Sequence, residues 1–77
     1  MVTAVVLVKA TRQGIRELGP RLAEVEGVAE VYTVTGDWDF VAIVRVREHE
    51  EVARTVTQGL LGLESGEAER LLVLATR

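Results

Sequence analysis

The sequence predicts an α+β domain whose elements follow the order β-α-β-β-α-β. Four runs of aliphatic and β-branched residues have the composition of strands. Between them, two segments repeat apolar residues at helical spacing, and one short polar turn joins two of the apolar runs directly. With right-handed crossovers, this order folds into a ferredoxin-like sandwich, in which an antiparallel four-stranded sheet carries two helices on one face.

The first strand and the first helix are predicted at the start of the chain. The β-branched run of residues 2–8 is the strand, and Thr11 is expected to cap the helix that follows. Gly27 is expected to end this helix. Pro20 predicts either a kink or a late helix start, because proline removes one helical hydrogen bond. The predicted apolar face of the helix consists of Ile15, Leu18, Leu22 and Val25.

A β-hairpin is predicted in the middle of the chain, with strands at residues 28–35 and 40–46. Gly36 and Asp37 lie in its turn, where a glycine adopts positive φ without a Cβ clash. The turn also places carboxylates on both sides of Trp38. A tight turn does not need these residues, so the turn is the first candidate for a functional site.

The second helix and the last strand complete the predicted fold. Glutamates at positions 48, 50 and 51 favour a helix N-terminus, where negative charge is stabilised, and Glu50 and Arg54 have the spacing of an i,i+4 ion pair. Gly59 and Gly62 are expected to end the helix, and residues 70–75 are the last strand. The apolar face of this helix consists of Val52, Val56 and Leu60.

Composition excludes several classes of protein. The 77 residues contain no cysteine, so neither a disulfide framework nor a thiolate metal site is expected. A net charge of −3 argues against direct binding of nucleic acid. No apolar run reaches the roughly 20 residues that cross a bilayer, and the N-terminus lacks the basic lead of a signal peptide. We therefore expect one domain, residues 1–77, that is soluble and cytoplasmic and does not bind membranes.

The predicted strands are apolar on both faces. Helices cover one face of such a sheet, so the other face would expose a contiguous apolar patch larger than a small monomer normally carries. A second copy packed face to face with two-fold symmetry would cover it. A homo-oligomer is therefore predicted, and a monomer with a sheet that is simply hydrophobic on both faces is the alternative.

The residues that most enzymes need are scarce. His49 is the only histidine and Ser65 the only serine, and His49 lies among glutamates at a helix start, where a solvated side chain is the ordinary role. The glycines do not form a phosphate-binding loop. Asp37 and Asp39 are the only candidate pair for calcium or magnesium, a minor alternative. No catalytic residue, resident metal or cofactor is predicted.

Residues 27–39, read as GVAEVYTVTGDWD, resemble the signature of the effector domain of Lrp/AsnC (feast/famine) transcriptional regulators, also called the RAM domain. The resemblance covers the whole chain in element order. It implies dimers formed through the sheets, rings such as octamers or decamers, and an amino acid or related metabolite bound between dimers. The chain resembles the stand-alone RAM modules, which lack a DNA-binding domain and would act through partners such as full-length relatives.

The resemblance also implies an effector site. Gly36 and Asp39 match the family's glycine and aspartate in the effector loop, and Thr35 precedes them in the same motif. Asp37 and Trp38 occupy the variable pair. The last strand often supplies two hydroxyls in the family, but Ala68 and Arg70 stand at the matching positions here. The Arg70 guanidinium has paired N–H donors that suit a ligand carboxylate. Alternatively, it pairs with one of the aspartates and closes the site.

Three functions follow from these observations. The first is an oligomeric module that binds a small effector and regulates transcription or amino-acid metabolism. The second is a small dimeric enzyme of the cofactor-free monooxygenase type, which the apolar inward helix positions disfavour. The third is a structural ring with no ligand. The resemblance favours the first.

Overall fold

The structure, a computed structural model, describes residues 1–75 apart from the side chains of Glu64, Ser65 and Ala75. The predicted order β-α-β-β-α-β is confirmed. The strands are β1 (Val2–Ala10), β2 (Val28–Thr33), β3 (Phe40–Val46) and β4 (Ala68–Ala75). The helices are α1 (Ile15–Glu24) and α2 (His49–Arg54), and α2 continues as a π-helix (Thr55–Leu60) and a 3₁₀-helix (Leu61–Ser65).

The four strands form one antiparallel sheet in the order β2-β3-β1-β4, so the predicted ferredoxin-like fold is confirmed. Alternate residues of β1 and β3 are buried and form the core together with the helices. Residues with no exposed surface in this core include Val6, Val8, Leu18, Leu22, Val44 and Leu60.

The boundaries of α1 differ from the prediction at both ends. Thr11 does not cap the helix; its hydroxyl accepts a hydrogen bond from the Gly14 backbone N–H at 2.9 Å, in the turn before the helix begins. Pro20 lies inside the helix, so a late helix start is wrong. The helix ends at Glu24, and Gly27 follows in a separate turn at φ +99°, a conformation that favours glycine.

The second helical segment also corrects the prediction. Gly59 does not end the helix but lies within the π-helix. A Cβ atom at Gly59 would overlap Cγ1 of Val25, so glycine is required there because the two helical segments approach closely. Glu50 and Arg54 do not form the predicted ion pair; the ion pairs between side chains that the structure describes are Arg21–Glu67 at 2.5 Å and Arg45–Glu30 at 2.6 Å.

The sheet face opposite the helices is apolar at its centre. In the strand register, Val5 lies between Ile43 and Leu74, and Leu7 lies between Val41 and Leu72, with Tyr32 opposite Val41 at the edge. We call these seven residues the outer face. Leu74 and Tyr32 are each 52% exposed, so this face carries accessible apolar surface in the single chain. The predicted apolar patch is therefore present, with a charged rim that includes Glu30 and Arg45.

Within the residues described, no helix is both long enough and apolar enough to cross a lipid bilayer.

Candidate functional site

The hairpin turn lies at the end of the sheet where β1 stops and β4 begins. Gly36 is exposed and has φ +107°, and no neighbouring atom lies within 4 Å of the position that its Cβ would take. Backbone conformation alone therefore requires glycine at this position. Thr35 and Asp37 on either side are also exposed, so both are accessible to a small molecule.

Asp39 ties the turn to the first strand. Its Oδ2 atom accepts a hydrogen bond from the Ala10 backbone N–H at 2.8 Å, and its own backbone N–H donates to the Val8 carbonyl at 3.0 Å. The Asp39 carbonyl accepts from the Val34 N–H at 2.9 Å, which closes the hairpin. The carboxylate contact spans 29 residues of sequence, so Asp39 joins the hairpin turn to a distant part of the chain.

Trp38 and Arg70 lie against each other at the same end of the sheet. The Arg70 guanidinium carbon is 5.1 Å from the centre of the Trp38 ring, within the range of a cation–π contact. Arg70 belongs to neither of the ion pairs between described side chains, so the alternative in which it pairs with Asp37 or Asp39 is wrong for this structure. The stack holds the exposed Arg70 side chain over the ring of Trp38, and the next residue in the chain, Asp39, is half-buried.

A β-bulge decides which residues of β4 face the turn. Lys9 pairs with Arg70, whereas Ala10 pairs with Ala68, so Glu69 is the extra residue. Such a bulge reverses the face on which the preceding side chain lies. Ala68 has no exposed surface and belongs to the core, and we correct the prediction that its side chain contacts an effector. Lys9 lies opposite Arg70 and was not predicted as a site residue. The sequence signal for it was a positive charge directly after a long apolar run.

A second polar cluster lies at the rim of the outer face. The Tyr32 hydroxyl donates a hydrogen bond to Oε1 of Glu30, and Arg45 donates to Oε2 at 2.6 Å. The Tyr32 hydrogen bond and then Arg45 hold the pKa of the Glu30 carboxyl below its ordinary value. The same contact with Glu30 raises the pKa of the Tyr32 phenol.

The Tyr32→Phe variant is expected to raise the pKa of Glu30 towards its ordinary value, because the hydroxyl that contributes most to the lowering is removed. A lowered carboxyl pKa contributes stability above the unfolded-state value, and this contribution is lost as pH falls through the folded-state value. The variant should therefore lose less stability on acidification than the parent. Carboxyl carbon shifts of Glu30 followed by NMR across acidic pH test this directly; an unchanged midpoint would contradict it.

The acidic side chains that the structure describes do not form a metal centre. Over the part of the chain that the structure describes, no three histidine or acidic side chains lie close enough to hold an ion together. The chemistry at the hairpin turn is therefore that of two carboxylates, two cations and an aromatic ring. Such a set complements a small zwitterion by charge and a side chain by apolar contact.

Residues 3–75 match the family model described as the Lrp/AsnC ligand binding domain. Among curated proteins, the chain is 35% identical over 65 residues to the HTH-type transcriptional regulator PH1692 of Pyrococcus horikoshii, covering 84% of this chain and 43% of that protein. It is 34% identical over 70 residues to the HTH-type transcriptional regulator LysM of Saccharolobus solfataricus, covering 83% and 49%. The chain thus spans about half the length of the curated relatives it matches.

Two solved structures place the fold in the same group. The crystal structure of TTHA0845 from Thermus thermophilus has a TM-score of 0.89 and 43% identity, covering 100% of this chain and 94% of that one. The transcriptional regulator NMB0573 from Neisseria meningitidis, solved as a complex with L-Met, has a TM-score of 0.81 at 12% identity, covering 99% and 49%, and so shares the fold alone. The family-model match and the two curated relatives show that this chain belongs to the Lrp/AsnC ligand-binding domain family.

Proposed function

We propose that this domain binds an amino acid or a related small metabolite at the hairpin turn and takes part in transcriptional regulation. The observation that carries the proposal is the stack of Arg70 on Trp38, the residue that precedes Asp39 in the hairpin turn. Arg70 and Lys9 complement a ligand carboxylate, Asp37 and Asp39 complement an ammonium group, and the exposed part of the indole offers apolar contact.

Membership of the family supports a ligand-binding role, and the names of the curated relatives support a regulatory one. The L-Met complex of NMB0573 supports an amino acid as the ligand class, although that protein shares only the fold with this chain. Since the relatives are regulators rather than enzymes by name, we propose a non-enzymatic module, and we expect it to reside in the cytoplasm.

We propose further that the domain acts as an oligomer. The outer face offers six aliphatic side chains and the ring of Tyr32 on one surface, and a second copy packed on it would remove them from water. Dimers formed in this way would assemble further into rings such as octamers or decamers. Within the ring, the hairpin turns would meet in pairs. A ligand alters such an assembly only if it binds two assembly states with different affinity.

The response is proposed to pass to other proteins. The matched relatives are about twice as long as this chain and carry HTH-type names, and part of each resembles this domain in sequence. Mixed assembly with full-length Lrp/AsnC relatives would therefore couple an effector bound here to a DNA-binding partner.

A thermal-shift screen against the twenty amino acids, with the mass measured by light scattering, tests the proposal. A ligand at about 100 times its dissociation constant stabilises the folded state by about 2.7 kcal/mol. In a domain of this size, that corresponds to a rise in melting temperature of about 11–22 °C. Stabilisation by one or a few amino acids in an oligomer is the expected result. An oligomer that none stabilises would support the structural ring instead.

The Arg70→Met variant should reduce this stabilisation, because the exposed side chain loses its charge while keeping most of its length. Arg16→Met on the exposed side of α1 is the matched control and should respond as the parent does. Equal shifts in both variants would remove Arg70 from the site. A circular dichroism spectrum that matches the parent shows that each variant is folded.

A further inference from the structure

A groove of about 640 Å³ lies at the opposite end of the sheet from the hairpin turn. Its walls come from the segment that follows α1, the end of β3, and the junction of α2 with the π-helix. The volume is within the range of small-molecule sites, about 300–1,000 Å³. The groove shares no residue with the hairpin turn.

Close backbone contacts fix the walls of the groove. A Cβ atom at Gly27 would lie 2.5 Å from Oγ1 of Thr55, and one at Gly59 would overlap Val25. The Gly27 carbonyl also accepts a hydrogen bond from the Arg45 backbone N–H at 3.0 Å, which joins the α1 side of the groove to β3. The groove is therefore built on glycines whose positions admit no side chain.

The lining carries more positive charge than negative charge. Three arginines and two glutamates line it. Glu51 is partly engaged, because its Oε2 atom accepts a hydrogen bond from the Arg47 backbone N–H at 3.2 Å. Arg45 is held by Glu30, whereas the guanidinium groups of Arg47 and Arg54 form no ion pair with any side chain that the structure describes. These two groups remain available to an anion.

The hydroxyl of Thr55 is a further polar group at the groove. The residue is only 9% exposed and lines the groove, yet its hydroxyl makes no hydrogen bond to any described residue. Thr57, by contrast, donates to the Ala53 carbonyl at 2.6 Å, the usual arrangement for a helical threonine. Among the described residues no fully buried side-chain oxygen or nitrogen lacks a partner, so the unpaired Thr55 hydroxyl is open to the groove. Thr55 also begins a π-helix, a distortion often found at binding sites.

We propose that this groove binds a small anionic metabolite, with its oxyanion between Arg47 and Arg54. The Thr55 hydroxyl donates to the same oxyanion or to an adjacent ligand oxygen, and Gln58 on the groove wall adds an amide. A phosphate and a carboxylate share the required chemistry. The domain would then carry two sites, one at each end of its sheet, and the second does not depend on the effector proposed for the hairpin turn.

Titration of the ¹⁵N-labelled protein with inorganic phosphate and, separately, with acetate tests the groove, with sodium chloride at matched ionic strength as the reference. Saturating shifts of the Gly27, Thr55 and Gly59 amides are expected for at least one probe, and the stronger probe names the anion. The Gly36 amide at the far end of the sheet should not follow the same curve. A response that is linear, or that sodium chloride reproduces, would overturn the proposal.

Two substitutions separate a built site from general attraction to arginines. Arg54→Gln is expected to weaken binding about tenfold, because a charge-assisted hydrogen bond is lost, and Arg47→Gln should act likewise. Arg16→Gln removes the same charge from the exposed side of α1 and should leave the affinity unchanged. All three positions are exposed, so the variants should fold. Equal affinity in Arg54→Gln and Arg16→Gln would overturn the assignment.

Discussion

The Ile43→Asp variant is expected to run as a single chain in light scattering, whereas the parent runs as an oligomer. Ile43 lies on β3 at the centre of the outer face, between Glu30 and Val5 in the strand register. A second copy packed on this face would enclose the new carboxylate without a partner, and burying an unpaired charge costs several kcal/mol, enough to dissociate a small interface.

The position of Ile43 makes this variant specific for face-to-face packing. The strand order β2-β3-β1-β4 leaves β2 and β4 at the edges, so a partner that added a strand to either edge would not cover Ile43. Ala23→Asp on the exposed side of α1 introduces the same charge away from the outer face and should keep the mass of the parent. A folded Ile43→Asp protein that retains the parent's mass would refute the face-to-face model.

The fold was predictable because its signals are local. Apolar runs, helical spacing and the Gly36 turn are each read within a few residues of sequence, and together they specify the element order. The wrong predictions concern residues whose roles depend on contacts with residues distant in the sequence. Gly59 was interpreted as a helix stop, but it is glycine because Val25 approaches it from another element. Thr11 was interpreted as a helix cap, but its hydroxyl serves the preceding turn and lies within 3.2 Å of the Gly66 and Glu67 carbonyls.

The candidate site likewise has one part that the sequence predicted and one part that it did not. The residues of the hairpin turn were identified from the sequence, because a glycine turn with carboxylates around a tryptophan is a local pattern. The partners of those residues were not, since they depend on register. A bulge of one residue at Glu69 turns Ala68 into the core and leaves Arg70 beside Lys9. No sequence pattern predicts that bulge, so only the structure shows which β4 side chains lie in the core and which lie at the hairpin turn.

Strand register also explains why the groove was not predicted from the sequence. Arg47, Arg54 and Gln58 have the ordinary appearance of solvated residues when read along the chain. They become a site only because β3 ends beside the segment after α1, where the Gly27 carbonyl meets the Arg45 N–H. The glycines at 27 and 59 were noticed as helix terminators, and their second role as points of close contact requires the three-dimensional arrangement.

Asp39 is expected to have two separable roles, which two substitutions distinguish. Asp39→Ala removes the acceptor for the N–H of Ala10, a residue that is 8% exposed at the end of β1. Leaving that donor without a partner costs about 1–3 kcal/mol of unfolding free energy. Loss of ligand binding in Asp39→Ala would therefore be ambiguous, since the hairpin turn itself is loosened. The alanine variant measures the structural role.

Asp39→Asn isolates the role of the charge. The amide oxygen can still accept from the Ala10 N–H, so the free energy of unfolding in urea should stay close to that of the parent. If the carboxylate holds a ligand ammonium group, the amino-acid-dependent rise in melting temperature should fall sharply in the asparagine variant. Asp37→Asn is the matched control for a change of one charge on an exposed neighbour. A parent-like thermal shift in Asp39→Asn would leave Asp39 with only its structural role, because the Ala10 hydrogen bond needs an acceptor but no charge.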